Sequence, residues 1–409
     1  MLAFRPRRVN DFVDCESDMS YTAGMSAQRQ GSLSGIRIVE LAGVGPSPFA
    51  AMLLSDMGAD IVTVDRLVPH GLGVKKEPRF DPTTRGRPSI AVDLKSPEGQ
   101  SVVLRLVEGA DALVEGFRPG VMERLGLGPD ACWARNPRLV FGRATGWGQD
   151  GPLAHTVGHD LNYLAITGAL SMIGPRDGTP SVPLNLLGDY AGGGLYLALG
   201  TLAAVLEARR SGHGQVVDVA MVDGIESMMT HYFAYMASGR WTFERESNFF
   251  DGGAPWYRVY ETSDGKHVSV APVERKFYNQ LLAGMGLDPA AVPDQLDRDT
   301  WPALRQQFSD VFRSKTRDEW CRIMDGRDAC FAPVLDLHEA VQHPHLAARR
   351  GFLEVDGVLQ PAPAPRFSRT PSSVRRGPPV PGANTQEALS AWGFGDAEIE
   401  ELRRKGAVA

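Results

Sequence analysis

The fold class follows from one stretch, LSGIRIVELAGVGPSPFAAMLLSDMGADIVTVDR, which covers residues 33–66. The apolar run Ile36–Leu41 is typical of a buried strand, Pro46–Gly58 has a helical composition, and Ile61–Arg66 is again extended. This order is a βαβ unit, in which a helix joins two parallel strands. The start of the chain therefore predicts an α/β fold.

Three further apolar runs follow, with helical segments between them: Ser89–Leu94, Ala112–Phe117 and Leu139–Gly146. Such repeated alternation of strand and helix is typical of a doubly wound parallel sheet. We therefore expect a Rossmann-like large α/β domain over residues 33–225. Residues 1–32 differ in composition and are predicted to form a disordered N-terminal extension.

The pattern changes beyond the large domain. Trp256–Glu274 alternates apolar and polar residues on both sides of Asp264-Gly265, which predicts a β-hairpin. Helical segments follow, so residues 226–350 are predicted to form a smaller α+β domain. Residues 351–409 should return to the large domain, with the proline-rich stretch Gln360–Ala383 extended over the surface.

The first turn invites a dinucleotide-binding interpretation, because Gly43 and Gly45 follow a strand and Asp65 ends the next one. Pro48 stands in the place of the third glycine, where the helix must pack closely. Pro46 lacks a backbone N–H that could face a pyrophosphate. We therefore expect neither NAD nor FAD here, while a phosphate near this helix N-terminus stays open.

Composition excludes other classes of protein. The chain has 409 residues, of which 43% are apolar and 22% charged, and its net charge of −6 gives no footprint for nucleic acid. The four cysteines form no CxxC pair and are expected to be reduced. His338, His343 and His345 lack the cysteine or carboxylate that would complete a metal site. No metal is expected.

The longest apolar run, Tyr190–Leu206, carries four glycines and spans only about 17 residues. It is predicted to be a buried core helix and not a membrane span. We found no signal peptide either, so the expected location is the cytoplasm, or an organelle matrix if the source is eukaryotic.

The chain lacks a GxSxG elbow, a P-loop and an HExxH motif. Ionisable side chains do occur in apolar or glycine-rich surroundings, at His159-Asp160, Asp189 and Glu274. Burial and neighbouring groups could tune their pKa values for acid–base chemistry. Local pattern leaves simpler roles open, since either aspartate could cap a helix, His159 could be a core histidine, and Glu274 an exposed strand end.

Eight collinear segments resemble the class III CoA-transferase family, and within it the α-methylacyl-CoA racemase branch. They are LSGIRIVELAGVGPSPFAAMLLSDMGADIVTVDR, VDLKSPEG, EGFRPGVMERLGLGPD, NPRLVFGRATGWGQDGPLA, VGHDLNYLAITGAL, PLNLLGDYAGGG, GQVVDVAMVDG and DGGAPWYRVYETSDG. The match runs in order from about residue 33 to about residue 369. A collinear match of this length is far more specific than any single motif.

The resemblance implies an isomerase that interconverts the two configurations at C2 of 2-methylacyl-CoA thioesters without a metal or an organic cofactor. It makes His159 a catalytic base assisted by Glu274, and it makes Asp189 the second acid–base group. Inversion by proton removal and return needs one such group on each face of the carbon. If a helix starts at Asp160, its backbone amide is the candidate donor to the enolate oxygen.

The resemblance also implies contacts with CoA and with a second subunit. By position, Arg66 is the first choice for a phosphate contact, followed by Arg85 and Arg124. Family members form interlocked homodimers, so Glu274 is expected to reach His159 across the interface. Four methionines could offer the acyl tail a pliable surface: Met221, Met228, Met229 and Met236.

Two other functions stay open at this stage. A CoA-transferase would use an aspartate as an acyl acceptor, and Asp160 is the candidate nucleophile. A silent acyl-CoA-binding homologue is the third possibility, although the chain has all of His159, Asp189 and Glu274. Arg275 and Lys276 depart from the family pattern beside Glu274. The resemblance does not distinguish a branched fatty acyl group from a sterol side chain.

Overall fold

The computed structural model describes residues 31–409 apart from 69, 70, 72 and 75, so the predicted N-terminal extension lies outside it except for residues 31 and 32. The strands are β1 (Arg37–Leu41), β2 (Asp60–Arg66), β3 (Ser89–Val92), β4 (Ala112–Glu115), β5 (Val140–Thr145), β6 (Val216–Ala220), β7 (Arg258–Glu261), β8 (His267–Val270), β9 (Phe331–Val334), β10 (Phe352–Val355) and β11 (Val358–Pro361).

The α-helices follow the same chain order. They are α1 (Pro46–Asp56), α2 (Pro97–Glu108), α3 (Val121–Arg124), α4 (Pro129–Trp133), α5 (Asp160–Ile166), α6 (Tyr196–Ser211), α7 (Met221–Met228), α8 (Thr230–Ala237), α9 (Arg275–Gly284), α10 (Trp301–Phe312), α11 (Arg317–Met324), α12 (Leu337–Gln342), α13 (Pro344–Ala348), α14 (Thr385–Ala391) and α15 (Asp396–Arg404). A π-helix, Leu186–Leu195, runs directly into α6.

Strands β1 to β6 form one parallel sheet in the order β3-β2-β1-β4-β5-β6. This is the Rossmann order, so the predicted α/β fold with a Rossmann-like sheet is confirmed. The order reverses between β1 and β4. In open sheets of this kind, ligands bind beyond the carboxyl ends of the strands at such a reversal.

Both faces of the parallel sheet are covered. Val39 packs into a core with α2, α4 and the C-terminal helices α14 and α15, whereas its neighbour Ile38 packs with α1 and α6. Successive strand residues point to opposite faces, so each apolar run in the sequence supplies both cores at once.

The region predicted to be a small α+β domain contains an antiparallel sheet in the order β7-β8-β9. The predicted hairpin is present, with Gly265 at φ +71° in its turn. Trp256, Tyr278 and Phe308 lie in its core with residues of α9, α10 and α11. The expected domain boundary at residues 225 and 226 falls inside the continuous helix α7.

The C-terminal part contacts the large domain. Val408 forms an antiparallel bridge with Val92 at the edge strand β3, and Leu389 and Ile399 lie in the core beneath the sheet. Strands β10 and β11 form a hairpin, and residues 362–384 contain neither helix nor strand. Most of the proline-rich segment therefore has no regular secondary structure, and it lies between strand β11 and helix α14.

The apolar run predicted to be a buried core helix is only partly buried. Among the described residues, the helical stretch Leu186–Ser211 is long and apolar enough to cross a membrane, but half of its most apolar window lies inside the protein. Leu195, Leu199 and Leu206 are exposed by 49%, 66% and 70%. The predicted buried core helix is therefore buried on one side only, because the other side of α6 has no covering element in the single chain.

Candidate active site

The side chain of Asp160 joins two helices at the carboxyl side of the sheet. It is the first residue of α5, and its Oδ2 accepts the backbone N–H groups of Gly188 at 2.8 Å and Asp189 at 2.7 Å. Asp160 is only 6% exposed. The carboxylate therefore satisfies two backbone donors at the start of the π-helix, which would otherwise be left without partners.

This contact depends on small residues. A Cβ atom at Gly188 would lie 2.6 Å from Asp160 Oδ2, so no larger residue fits there without a shift. Further along, a Cβ atom at Gly224 of α7 would lie 2.0 Å from the carbonyl oxygen of Gly192. The glycine-rich run noted in the sequence thus lets the π-helix pack tightly against α7 and brings Asp189 to the sheet edge.

Asp189 is half-buried beside the start of α1. Asn185 Nδ2 donates a hydrogen bond of 3.1 Å to its Oδ2, and Gly45, the residue before α1, lies next to its Oδ1. Burial raises the pKa of Asp189, the Asn185 hydrogen bond lowers it, the negative charge of Asp160 raises it, and His159 lowers it. The net direction is upward, and the largest cause is burial.

His159 precedes α5, and its backbone is held while its side chain is exposed. Asn162 Oδ1 accepts the His159 N–H at 3.0 Å. His159 directly precedes Asp160, whose carboxylate accepts the Asp189 backbone N–H, so the chain brings His159 and Asp189 to the same end of α5. Within the described part of the chain, the Asp160 backbone N–H has no hydrogen-bond acceptor, as expected for the free amides of a helix N-terminus.

An aromatic pair behind His159 was not predicted from the sequence. The Tyr163 hydroxyl donates a hydrogen bond of 2.5 Å to the carbonyl oxygen of Gly158, and its ring meets the Trp147 ring edge-on at 4.6 Å. Burial raises the pKa of Tyr163 to about 12, and Asp189 and Asp160 add to the rise. The i+4 position of Tyr163 relative to His159 was the available signal.

Glu274 lies apart from these groups in the single chain. It is exposed at the start of α9, and no hydrogen bond or ion pair joins it to His159 among the described residues. Arg275 lies over the Tyr278 ring at 5.6 Å and Lys276 over the Phe277 ring at 4.5 Å. The two cations that depart from the family pattern thus contact aromatic rings of their own helix.

The three predicted CoA-contacting arginines differ in placement. Arg66 is exposed at the end of β2, with its guanidinium 5.4 Å from the Phe117 ring, and Arg124 is exposed at the end of α3. Arg85 is 3% exposed. Its guanidinium forms an ion pair of 2.6 Å with Asp56 and donates to Gln360 Oε1 at 2.6 Å. Arg85 therefore has a structural role, and its burial in these contacts argues against the predicted contact with CoA.

Arg118 is an exposed cation that no sequence motif indicated. Its positive charge lowers the pKa of Tyr163. It follows β4, at the edge of the sheet where the strand order reverses. Among the described residues, no group of three or more histidine, cysteine or carboxylate side chains could hold a metal ion.

Comparisons with known proteins agree with this fold. The sequence pattern of CoA-transferase family III matches residues 33–385. α-Methylacyl-CoA racemase of Mus musculus is 44% identical over 374 residues, which cover 90% of this chain and 96% of the mouse protein. The Homo sapiens protein of the same name is 43% identical over 376 residues, 91% of this chain and 96% of the human one.

The fold also matches solved structures. A crystal structure of a hypothetical protein from Mycobacterium tuberculosis superposes with a TM-score of 0.74 at 28% identity, covering 88% of this chain and 99% of the other. The residues that match the pattern of CoA-transferase family III include every residue assigned above to the site, from Gly45 to Glu274. The resemblance inferred from the eight segments is confirmed. The chain belongs to CoA-transferase family III.

Proposed function

We propose that the protein is an isomerase that interconverts the (2R) and (2S) configurations of 2-methylacyl-CoA thioesters. The observation that carries the proposal is the hydrogen bond from the Asp189 backbone N–H to the buried carboxylate of Asp160, the residue after His159, which brings both acid–base groups to the start of α5. The mouse and human relatives are named for this activity, and each is similar to this chain over almost its whole length.

The reaction would proceed by two proton transfers on opposite faces of C2. In one direction His159 removes the α-proton, the electrons of the broken C–H bond move onto the thioester oxygen, and Asp189 returns a proton to the other face. In the reverse direction the two groups exchange roles. The raised pKa of Asp189 suits a group that must be acid in one direction and base in the other.

The enolate oxygen formed between these steps needs a donor that is already in place. The free backbone N–H of Asp160 stands at the N-terminus of α5, where the helix dipole also favours negative charge. The Asp160 carboxylate accepts hydrogen bonds from two other backbone N–H groups, and these bonds hold the first turn of α5 in position. The protein would need no metal or organic cofactor for such chemistry.

Substrate binding would use exposed cations for the CoA phosphates and exposed apolar side chains for the acyl tail. Arg66 and Arg124 are exposed cations that can bind CoA phosphates. Apolar side chains near α5 and the π-helix remain exposed, including Leu161, Leu184 and Leu186, and they offer a surface to the acyl tail. We place the enzyme in the cytoplasm or an organelle matrix.

A homodimer would complete the site. Glu274 has no link to His159 within one chain, and the exposed leucines of α6 leave an apolar surface that a second subunit could cover. We therefore propose that Glu274 of one chain assists His159 of the other. The proposed division of each chain is a large domain, a small domain and a C-terminal segment returning to the large domain.

The test is to incubate a resolved 2-methylacyl-CoA ester in deuterium oxide with the protein. We expect loss of stereochemical purity together with incorporation of deuterium at C2. The absence of both changes across a panel of esters of different tail size would refute the proposal. Tight binding of the esters without any change would instead identify a silent acyl-CoA-binding homologue.

A CoA-transferase is the second candidate, and the family membership supports considering it. It would require Asp160 to attack a thioester and carry the acyl group. Burial of Asp160 and its two hydrogen bonds to backbone N–H groups lower its nucleophilicity and weigh against this role. Trapping of an acyl-enzyme with hydroxylamine after mixing with acyl-CoA would favour the transferase.

A further inference from the structure

A polar cleft of about 500 Å³ lies on the small domain, between edge strand β7 and helix α10. Neither element contributes His159, Asp160 or Asp189, so the cleft is separate from the candidate active site. Its lining is rich in basic side chains, among them Arg258, Arg305, Arg313 and His267.

Two of the three arginines are neutralised by carboxylates. Arg258 forms an ion pair of 3.0 Å with Glu246, and Arg313 forms one of 3.0 Å with Glu261. Arg305 has no carboxylate within ion-pair distance among the described residues. Its Nη1 donates only to backbone carbonyl oxygens, those of Glu246 at 3.2 Å and Gly253 at 2.8 Å.

The surroundings of Arg305 are unfavourable for a lone cation. The residue is half-buried, and burial lowers its pKa. The positive charges of Arg258 and Arg176 lower it further, and Glu246 offsets only part of the effect. An anion in the cleft would remove this repulsion, because a guanidinium binds oxyanions through two parallel N–H donors.

We propose that this cleft binds a phosphate group. Guanidinium groups from both the strand and the helix line the cleft together with Ser309, and a guanidinium can donate two parallel N–H groups to a phosphate. The volume exceeds that of inorganic phosphate, which leaves room for a phosphate ester. The inference does not depend on the proposed racemisation.

The experiment is calorimetric titration of the full-length protein with inorganic phosphate and, separately, with the adenosine bisphosphate portion of CoA. Arg305→Gln should weaken binding about tenfold or more, because it removes the uncompensated cation. Ser309→Asp should do the same by adding a carboxylate while Arg305 and its backbone contacts stay intact. Arg322→Gln is the matched control, since it removes an exposed arginine of α11 outside the cleft.

The two ligands distinguish the sources of the phosphate. Binding of inorganic phosphate that depends on Arg305 and Ser309 supports a site for free phosphate or a small phosphate ester. Binding of the adenosine bisphosphate alone, with the same dependence, supports a site for the nucleotide end of CoA. Equal titrations for wild type and both cleft variants would overturn the proposal, as would an equal loss in Arg322→Gln.

Discussion

The backbone N–H of Asp189 donates a hydrogen bond of 2.7 Å to the carboxylate of Asp160, so one aspartate holds the other at the start of the π-helix. The negative charge of Asp160 also raises the pKa of Asp189. The two residues are therefore coupled through both position and charge.

Substitutions of Asp160 and Asn185, the two hydrogen-bond partners of Asp189, should move the pKa of Asp189 in opposite directions. Asp160→Asn removes a negative charge, so the pKa of Asp189 should fall. Asn185→Ala removes a hydrogen bond that lowers this pKa, so it should rise. In the direction that uses Asp189 as the base, the acid limb of kcat/KM should shift by about half to one pH unit, downward and upward respectively.

Asp177→Asn is the control for this pair, because it removes an exposed carboxylate close in sequence without a contact to Asp189. Its pH profile should match that of the wild type. Parallel shifts of the Asp160 and Asn185 variants in one direction would show that Asp189 does not set the acid limb.

The Tyr163 hydroxyl should matter for turnover more than for folding. Tyr163→Phe removes the hydrogen bond to the Gly158 carbonyl and should lower stability by about 1 kcal/mol. Because this bond holds the residue before His159, kcat should also fall, with little change in KM. Tyr260→Phe is a matched control, since it removes a hydroxyl bonded at 2.6 Å to the Pro255 carbonyl in the small domain.

Tyr260→Phe should reduce stability by a similar amount and leave kcat unchanged. Urea unfolding and steady-state kinetics measure the two effects separately. If both tyrosine variants lost the same fraction of kcat, the effect of Tyr163 would be one of general stability.

Substitution of Arg85 should lower the free energy of unfolding, whereas substitution of Arg66 should weaken substrate binding. Arg85→Met leaves Asp56 buried without its partner, and breaking such a pair costs about 3–5 kcal/mol of unfolding free energy. The double variant Asp56→Leu with Arg85→Met should recover much of the loss. Arg66→Met should leave unfolding unchanged and raise KM for acyl-CoA about tenfold. The reverse pattern would return Arg85 to the CoA site.

The proposed dimer predicts complementation between two inactive variants. His159→Ala and Glu274→Gln should each be inactive or nearly so alone. After joint refolding or co-expression, random hybrids should restore about a quarter of the wild-type activity, because half of the dimers then carry one intact site. Light scattering confirms the dimer in each sample. Failure of dimeric mixtures to recover activity would place Glu274 outside the partner's site.

The parallel sheet could be predicted because each buried strand is a short apolar run with a helix after it. The first and last residues of strands β1 to β5 differ from those of the predicted runs by no more than two positions. The partial exposure of α6 could not be predicted, since an apolar helix side looks the same in sequence whether it faces a core or a second subunit.

The site was predictable only in part. The collinear family segments pointed to His159, Asp160 and Asp189, which the structure brings together. Arg85 was misassigned because its partner Gln360 is 275 positions away in the chain. Asn185 and Tyr163 were missed because each acts through one hydrogen bond to a residue four or five positions away, and that spacing alone does not identify a functional contact.

The π-helix at Leu186–Leu195 has a consequence for the evolution of this family. Its hydrogen bonds span five residues instead of four, so it corresponds to an α-helix that has absorbed an inserted residue. Deletion of one residue between Asp189 and α6 would turn the carboxylate by roughly 100° about the axis. A single codon gained or lost here could thus exchange the group presented to the substrate while the rest of the fold is kept.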